Sequence, residues 1–368
     1  MINSRTQTGR LAITAASLAI ALVPLTAARA QQSTSGSFIN IVDGDPVAGP
    51  SCDAYDPRLE QRPMLDETFA AMGDAPFGLS VNDAAGGYID NPFVGTMFRL
   101  RYDSAYGNPL PDRAEFFYAQ CGCFNPMNPV APGPGFPRPG QGGLAERNLD
   151  YQDFAAYLEM ARTDWFSWFA EVPFRMLNPD LLDNTAGLSD VNFGIKYALI
   201  ATPDQYLTFQ FRVYAPSGDA DRGLGTAHFS LEPALLYWSR WSDRVTLQAE
   251  LREWASLSDS INPLNGEDYS GNVIRYGVGL GYDLIPSDDV SCCGRLTAVT
   301  EFVGWAIQGG YATTAGGPVS TSGDSILNVK VGARYTVGAS SLYAGYGHAL
   351  TSDVWYEDIF RLEWRRSF

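Results

Sequence analysis

Three side chains that could do hydrolytic chemistry stand at alternate positions, His228, Ser230 and Glu232. A serine, a histidine and a carboxylate are the parts of a nucleophilic triad. On a strand, residues two apart are separated by ~6.6 Å, which is too far for the direct hydrogen bond that activates a serine unless the side-chain rotamers are favourable. The sequence also shows no pattern for an oxyanion hole. We therefore predict that the chain is not an enzyme and that these residues form an inward-facing polar row.

A Gly-rich loop, PSGDADRGLGT over residues 216–226, carries two carboxylates, Asp219 and Asp221. It lacks the twelve-residue spacing and the closing glutamate of a calcium loop. No strand–helix context makes it a phosphate-binding loop. We predict a solvated loop, no metal site and no cofactor.

Cysteine usage favours disulfides over metal binding. The five cysteines are Cys52, Cys121, Cys123, Cys292 and Cys293. No CxxC pair and no suitably spaced histidine indicates zinc, and the odd count leaves one thiol free or paired with another molecule. We predict that the C-x-C pair staples a loop, and that Cys52 bridges to one of the two adjacent cysteines.

Residues 1–30 have the pattern of a signal peptide. A basic start precedes the apolar run LAITAASLAIALVPL, and the small-x-small sequence ARA ends at residue 30. Without the three arginines of this segment, the formal net charge falls from −16 to −19. Nucleic-acid binding needs clustered Lys and Arg, so we predict no nucleic-acid partner for this exported, acidic chain.

The elements that must position these residues are strands, because a period of two begins after residue 93. Along each segment every second residue is apolar, and the residues between them are charged, polar or small. We call these two sets the apolar parity and the inward parity. The pattern predicts twelve strands at 94–105, 149–162, 164–177, 187–200, 205–216, 227–238, 243–254, 272–285, 294–307, 325–337, 341–350 and 355–368. Most exceed the ~5–6 residues of a globular strand and suit the ~9–11 of a tilted membrane strand.

The connections support the same architecture, since long and short ones alternate along the chain. Outer-membrane barrels have short periplasmic turns and longer external loops. The predicted fold is an all-β, transmembrane, antiparallel up-and-down β-barrel of about twelve strands in the bacterial outer membrane. Residues 31–93 form a periplasmic N-terminal extension, residues 94–368 form the barrel, and 106–148 is its long external loop.

Charged residues of the inward parity are predicted to line the lumen. The ten chosen are Glu171, Arg175, Lys196, Arg212, Glu232, Glu250, Arg252, Arg275, Lys330 and Arg334. Such a ladder indicates either a water-filled channel that selects solutes or interior ion pairs that fill a closed barrel. We predict a passive channel for small molecules; the alternative is a structural or adhesive surface barrel with a closed lumen.

The C-terminal sequence DIFRLEWRRSF continues the alternation to the last residue. Phe360, Leu362 and Trp364 are predicted to face outer-membrane lipid, whereas Arg361 and Glu363 face the lumen. The chain ends on Phe368, the terminal aromatic by which barrels of this kind resemble one another. We expect the outer-membrane assembly machinery to recognise this strand.

Four stretches carry a family resemblance: FAEVPFRML (169–177), GLSDVNFGIKYAL (187–199), YAPSGDADRGLGTAHFSLEPALLY (214–237) and GLGYDL (279–284). Their order resembles the outer-membrane proteins labelled for the MetA pathway of phenol degradation, over about residues 150–368. The resemblance implies an outer-membrane barrel that passes small, often aromatic or apolar, molecules. Residues 31–93 and 106–148 lie outside it.

Overall fold

A computed structural model describes residues 79–116, 148–181, 183–261, 266–286, 294–314 and 317–368. The predicted signal peptide, most of the predicted extension and most of the long loop lie outside these ranges. So do all five cysteines, and the disulfide predictions therefore remain predictions.

The described residues form fifteen strands, twelve of which make up one barrel. The barrel strands are β1 (Met97–Asn108), β2 (Leu149–Thr163), β3 (Phe166–Pro179), β5 (Asn192–Ala201), β6 (Gln205–Tyr214), β7 (Ser230–Arg240), β8 (Val245–Ser256), β9 (Val273–Ile285), β10 (Arg295–Ile307), β13 (Ser325–Val337), β14 (Ser340–Ala349) and β15 (Asp358–Ser367). The short strand β4 (Thr185–Leu188) pairs with β3, and β11 (Tyr311–Thr314) pairs with β12 (Gly317–Ser320) in a separate hairpin.

The barrel is closed, and all its pairs are antiparallel. Each strand pairs with its neighbours along the chain, and the first strand pairs with the last. Met97 of β1 lies opposite Ser367 of β15 on one side and opposite Glu159 of β2 on the other. Closure removes the exposed strand edges that an open sheet would leave. The predicted twelve-stranded up-and-down barrel is therefore confirmed.

The two faces of the strands have the reverse of the usual burial. On β15, Leu362 is 53% exposed, whereas its neighbour Glu363 is only 1% exposed. On β3, Trp168 and Val172 point outward while Glu171 is buried inside. A water-soluble protein buries its apolar residues instead. An apolar outer belt around a charged interior is the pattern of a barrel whose outer solvent is lipid.

The connections differ between the two ends of the barrel. At one end, the short-turn end, strands are joined by residues 164–165, 202–204, 241–244, 286–294 and 338–339. At the other, the long-loop end, they are joined by 109–148, 180–191, 215–229, 257–272, 308–324 and 350–357. The alternation that the sequence predicted is therefore present in the structure.

Helical structure in the described ranges is limited to three short 3-10 helices, Val81–Asp83, Arg113–Glu115 and Ala220–Arg222. None of the helices among these residues is long and apolar enough to cross a membrane.

Candidate functional site

All ten predicted lumen residues lie on barrel strands. Of the ten predicted lumen residues, Arg175 and Arg275 are half-buried. The others are buried, namely Glu171, Lys196, Arg212, Glu232, Glu250, Arg252, Lys330 and Arg334. Charges removed from water need partners, and neighbouring strands supply many of them. Arg252 lies 2.9 Å from Glu232, and Arg175 lies 2.9 Å from Asp153.

Residues 79–96 lie inside the barrel, and we call this segment the plug. It enters at the short-turn end, where the Asn82 side chain donates to the Ala339 carbonyl over 3.0 Å. It reaches furthest inward around Tyr88, which is only 3% exposed. It then returns to β1 past Phe93, whose ring packs 5.1 Å from that of Trp238. The plug therefore fills the lumen from the short-turn end.

The plug changes the predicted organisation of the chain. The sequence placed residues 31–93 in a periplasmic extension, but residues 79–93 contact the lumen wall. Residues 31–78 lie outside the described residues. The sequence of residues 31–93 has turn formers and no strand period, which suggested an exposed extension. Its partners are lumen side chains that are distant in sequence, and local pattern does not reveal them.

Cationic wall side chains hold the plug by its backbone. They donate to plug carbonyls from Arg295 to Asn82 (2.7 Å), Arg365 to Val81 (2.8 Å), Arg334 to Ala85 (3.0 Å), Arg361 to Gly87 (2.6 Å) and Lys196 to Asn91 (2.9 Å). A buried carbonyl needs a donor, and a charged donor makes a stronger bond than a neutral one. These arginine and lysine side chains thus satisfy the backbone carbonyls of the plug, which pairs with no barrel strand among the described residues.

A single wall carboxylate binds the inner tip of the plug. Glu301 of β10 is fully buried and accepts the backbone N–H groups of Ile89 at 2.8 Å, Tyr88 at 3.1 Å and Gly87 at 3.3 Å. Three donors converging on one carboxylate form an anion-binding nest, with the peptide as host. Glu301 therefore fixes the plug at its deepest point.

The plug contributes one carboxylate of its own to the middle of the lumen. Asp90 Oδ2 accepts from Arg212 at 2.9 Å and lies 3.0 Å from an Arg252 nitrogen. Its other oxygen lies 3.9 Å from Arg99. The carboxylate of Glu232 is 2.9 Å from Arg252 but 3.8 Å from Arg212. Asp90 is thus the nearer of these two carboxylates to Arg212.

A row of glycines on β9 makes room for the plug. A Cβ at Gly279 would lie 3.2 Å from Ile89 and 2.9 Å from Glu301, and one at Gly281 would lie 3.0 Å from Ala85. Such approaches are too close for an ordinary side chain. The row was visible in the sequence opposite the apolar parity of β9. It was the available signal that something packs against that wall.

A cavity of about 330 Å³, which we call the chamber, lies beyond the plug on the long-loop side. Its wall combines aromatic rings with paired charges. The rings include Tyr88, Phe116, Tyr214, Trp254, Trp305 and Trp355. The charges include Asp90, Glu171, Arg175, Arg212, Arg252 and Lys330. The chamber can therefore surround a small molecule that has both an apolar body and a charged group.

Lys330 stands among aromatic rings rather than beside an acid. Its Nζ lies 3.8 Å from the Tyr88 ring centroid and 5.4 Å from that of Trp305. It donates to the Tyr356 hydroxyl over 2.5 Å. Ring faces attract a cation within ~6 Å. These contacts connect the plug tip to the chamber wall.

Residues 109–116, which we call the cap, fold over the long-loop end of the chamber. Arg113 lies 3.5 Å from Asp353 and 3.7 Å from Asp324, and Asp112 accepts the Thr313 N–H at 3.0 Å. The cap thereby contacts two other long loops. The first residues of the predicted long external loop therefore fold over the chamber.

Glu115 and His228 fasten the cap to a third loop. Glu115 Oε2 lies 2.5 Å from His228 Nε2. Burial raises the pKa of the Glu115 carboxyl, although the bond to His228 opposes it. Burial lowers the His228 pKa, but the hydrogen bond and charge of Glu115 outweigh this, and the net shift is upward. The pair therefore retains a proton more firmly than either group would in water.

The local backbone shows that this contact is costly to make. Ala114 and Glu115 both have positive φ, at 44° and 63°. A left-handed conformation costs a non-glycine residue ~1–2 kcal/mol. Such strain persists only where surrounding contacts compensate for it. The bond to His228 and the burial of the cap supply that compensation.

The three residues that suggested hydrolysis are arranged differently from a triad. His228 Nδ1 lies 3.2 Å from Ser230 Oγ, but its other nitrogen contacts Glu115, while Glu232 contacts Arg252. Ser230 is fully buried, so its hydroxyl has no exposed surface for a substrate. The geometry fits a cap fastening better than a nucleophile. The part of the chain described here also contains no cluster of His, Cys, Asp and Glu that could hold a metal ion.

A closed antiparallel barrel with an apolar outer face and a charged lumen defines a transmembrane β-barrel of the outer-membrane type. No family model and no curated protein matches the chain.

One solved structure shares the fold, and two further solved structures are less similar to the chain. An outer-membrane channel from Pseudomonas putida F1 is 15% identical, over 77% of this chain and 98% of that chain, with a TM-score of 0.50. The β-domain of the Bordetella autotransporter BrkA is 14% identical, over 74% and 100%, with a TM-score of 0.44. The NanC porin is 12% identical, over 74% and 100%, with a TM-score of 0.42. At 15% identity the likeness to the Pseudomonas putida channel concerns the fold alone, and function must be argued from this chain's own residues.

Proposed function

We propose that the chain is an outer-membrane channel that passes small molecules passively, with the plug as its gate. The observation that carries the proposal is the chamber between plug and cap. Its wall mixes aromatic and charged side chains, as ligand pockets do. A barrel serving only as scaffold would have no need of such a cavity.

The plug is the moving part in this proposal, because the barrel is complete without it. All twelve strands close on one another through their own backbone hydrogen bonds. The plug is held by side chains that bond to its backbone, not by a strand of the sheet. Those bonds can be exchanged for water one at a time, so withdrawal of the plug leaves the backbone hydrogen bonds of the barrel intact. Twelve strands lie between the ~8 that side chains fill and the ~16 that leave an open channel.

The proposed orientation follows from the two ends. Long loops of outer-membrane barrels face outward and short turns face the periplasm. The plug would then close the periplasmic half, while the cap covers the outer half. The signal peptide at residues 1–30 and recognition of Phe368 by assembly machinery belong to the same proposal. So does a solute class of small aromatic or apolar molecules, suggested by the family resemblance and by the rings of the chamber.

Solute flux through folded protein tests the proposal. A heat-modifiable band shift first establishes that the barrel has folded into liposomes. Swelling in small neutral solutes and single-channel conductance in planar bilayers then measure passage. We expect both, with long closed periods in the intact chain. Folded protein that shows neither, even with residues 79–93 deleted, would contradict a channel.

A second candidate is a structural surface barrel with a permanently closed lumen. The dense ion pairs and the plug favour it, because together they fill much of the interior. The deletion of residues 79–93 separates the two. In a channel the deletion raises conductance, whereas a scaffold that depends on its filling loses stability and gains no defined conductance.

A further inference from the structure

We propose that Arg212 and Arg252 form a binding site for a small carboxylate-bearing aromatic solute, and that Asp90 of the plug occupies this site when the channel is closed. The inference rests on the proposed function and names a solute class for it. The plug would then be an internal competitor, displaced by the molecule whose passage it controls.

The first step is the charge balance around Asp90. Arg212 is 6% exposed, and Asp90 at 2.9 Å is closer to it than Glu232 at 3.8 Å. If the plug withdraws, this buried guanidinium loses its short carboxylate contact. Water and the more distant Glu232 then remain as its partners. The position of the Asp90 carboxylate is thereby free for another anion, which can make the same short, charge-assisted contact with the guanidinium.

The second step is the form of the site. Both arginines reach the same oxygen, Asp90 Oδ2, at 2.9 and 3.0 Å. Gln210 adds a longer donor contact to that oxygen at 3.4 Å. Guanidinium groups bind carboxylates with directional, charge-assisted bonds. The three donors come from β6 and β8, which are part of the barrel and remain in place without the plug.

The third step is what adjoins the carboxylate position. Arg212 and Arg252 line the chamber together with the rings of Tyr214, Trp254 and Trp305. A ligand whose carboxylate replaces that of Asp90 would extend its body into this aromatic space. Benzoate has the required combination of one carboxylate and one ring. The site thereby favours an aromatic acid over an aromatic alcohol or amine.

The test compares three probes that share a ring and differ in charge: benzoate, benzyl alcohol and benzylamine. Calorimetric titration measures their binding to folded protein in detergent, and liposome flux measures their passage. In the intact chain Asp90 competes at the millimolar effective concentration typical of a tethered group. We expect Asp90→Asn to tighten benzoate binding by about tenfold or more, and to leave benzylamine binding weak. Adding Arg212→Gln to the Asp90→Asn variant should weaken benzoate binding by a similar factor.

Two controls isolate the competitor. Asp90→Glu keeps the competing charge and should retain the affinity of the intact chain. Asp83→Asn removes the other plug aspartate that pairs with an arginine, Arg295 at 2.9 Å, outside the chamber lining. It should loosen the plug without changing the preference among the three probes. If Asp90→Asn does not fold, Arg212→Gln alone should weaken benzoate binding to the intact chain.

The outcomes separate the two proposals. Equal binding of benzoate and benzylamine in Asp90→Asn overturns the anion site, even if benzyl alcohol crosses the membrane. Inorganic phosphate that binds as tightly as benzoate overturns the aromatic part of the assignment. If folded protein binds benzoate as expected but passes no solute, the anion site stands and the channel fails.

Discussion

Glu301→Ala should shift the barrel strongly from its closed towards its open state. Glu301 accepts three plug N–H groups, from Gly87, Tyr88 and Ile89. In the alanine variant these donors lose their acceptor in the closed state only. An unsatisfied buried donor costs ~1–3 kcal/mol, and water entering the vacated space favours the lower value. Three donors at ~1 kcal/mol each destabilise the closed state by about 3 kcal/mol.

The consequence for gating follows from population arithmetic. Each ~1.4 kcal/mol changes an equilibrium tenfold, so the ratio of open to closed should rise on the order of 100-fold. A minor open state of ~0.1–10% would become ~10% to over 90% open. Single-channel recordings give the open fraction directly, and swelling in a neutral sugar gives the average. Glu301→Gln keeps one acceptor oxygen and should fall between the alanine variant and the intact chain.

Asp153→Ala is the matched control for Glu301→Ala. It also removes a lumen carboxylate, one that pairs with Arg175 at 2.9 Å. Among the contacts recorded for described residues, none joins Asp153 to the plug by a hydrogen bond or ion pair. The reasoning fails if Glu301→Ala folds but keeps the open fraction of the intact chain. It also fails if Asp153→Ala opens the barrel equally, because general loss of lumen charge would then be the cause.

Three further expectations follow from the plug, the cap and the last strand. Gly279→Val should displace the plug, since a Cβ there lies 3.2 Å from Ile89. The backbone amides of the plug should then exchange their hydrogens faster with solvent. Gly309→Val is the control, because the nearest atom to a Cβ there is 3.7 Å away, and it should leave the exchange rates unchanged. Burial raises the pKa of Asp112 to about 6 from 3.8, so the docked cap is favoured fully below pH ~4 and loses about 3 kcal/mol as pH rises through ~6. Sugar flux should therefore rise between pH ~4 and ~7, and Asp112→Asn should reduce that dependence. Truncation of Phe368 should slow assembly in cells, measured by the heat-modifiable band, more than refolding into liposomes.

The barrel could be predicted from sequence because each strand records its own surroundings. Leu362 and Glu363 show the principle, since the apolar member faces outward and the charged member inward whatever the rest of the chain does. The parity of loop lengths gave the strand directions in the same local way. Strand boundaries moved by a few residues, as between the predicted 355–368 and the observed Asp358–Ser367. Such shifts are usual at element ends.

The plug and the cap could not be predicted in this way, because their contacts are non-local and carry no period. Asp90 and its partner Arg212 are 122 residues apart, and Glu115 and His228 are 113 apart. Neither pair occupies a spacing that marks a motif. Glycines at 277, 279 and 281 were the one local trace, and they indicate a close neighbour without identifying it.

The plug also explains why the lumen is so heavily charged. A ladder of arginines inside a narrow barrel is stable only if each guanidinium finds acceptors. Wall acids such as Glu363, 2.8 Å from Arg334, supply part of them. The plug carbonyls supply more, as Arg334 also donates to Ala85 at 3.0 Å. The lumen arginines, whose pattern in the sequence indicates a path for solutes, thus donate hydrogen bonds to the backbone of the plug. In the proposed open state the same donors would become available, and closure of the lumen would be coupled to its capacity to attract an anion.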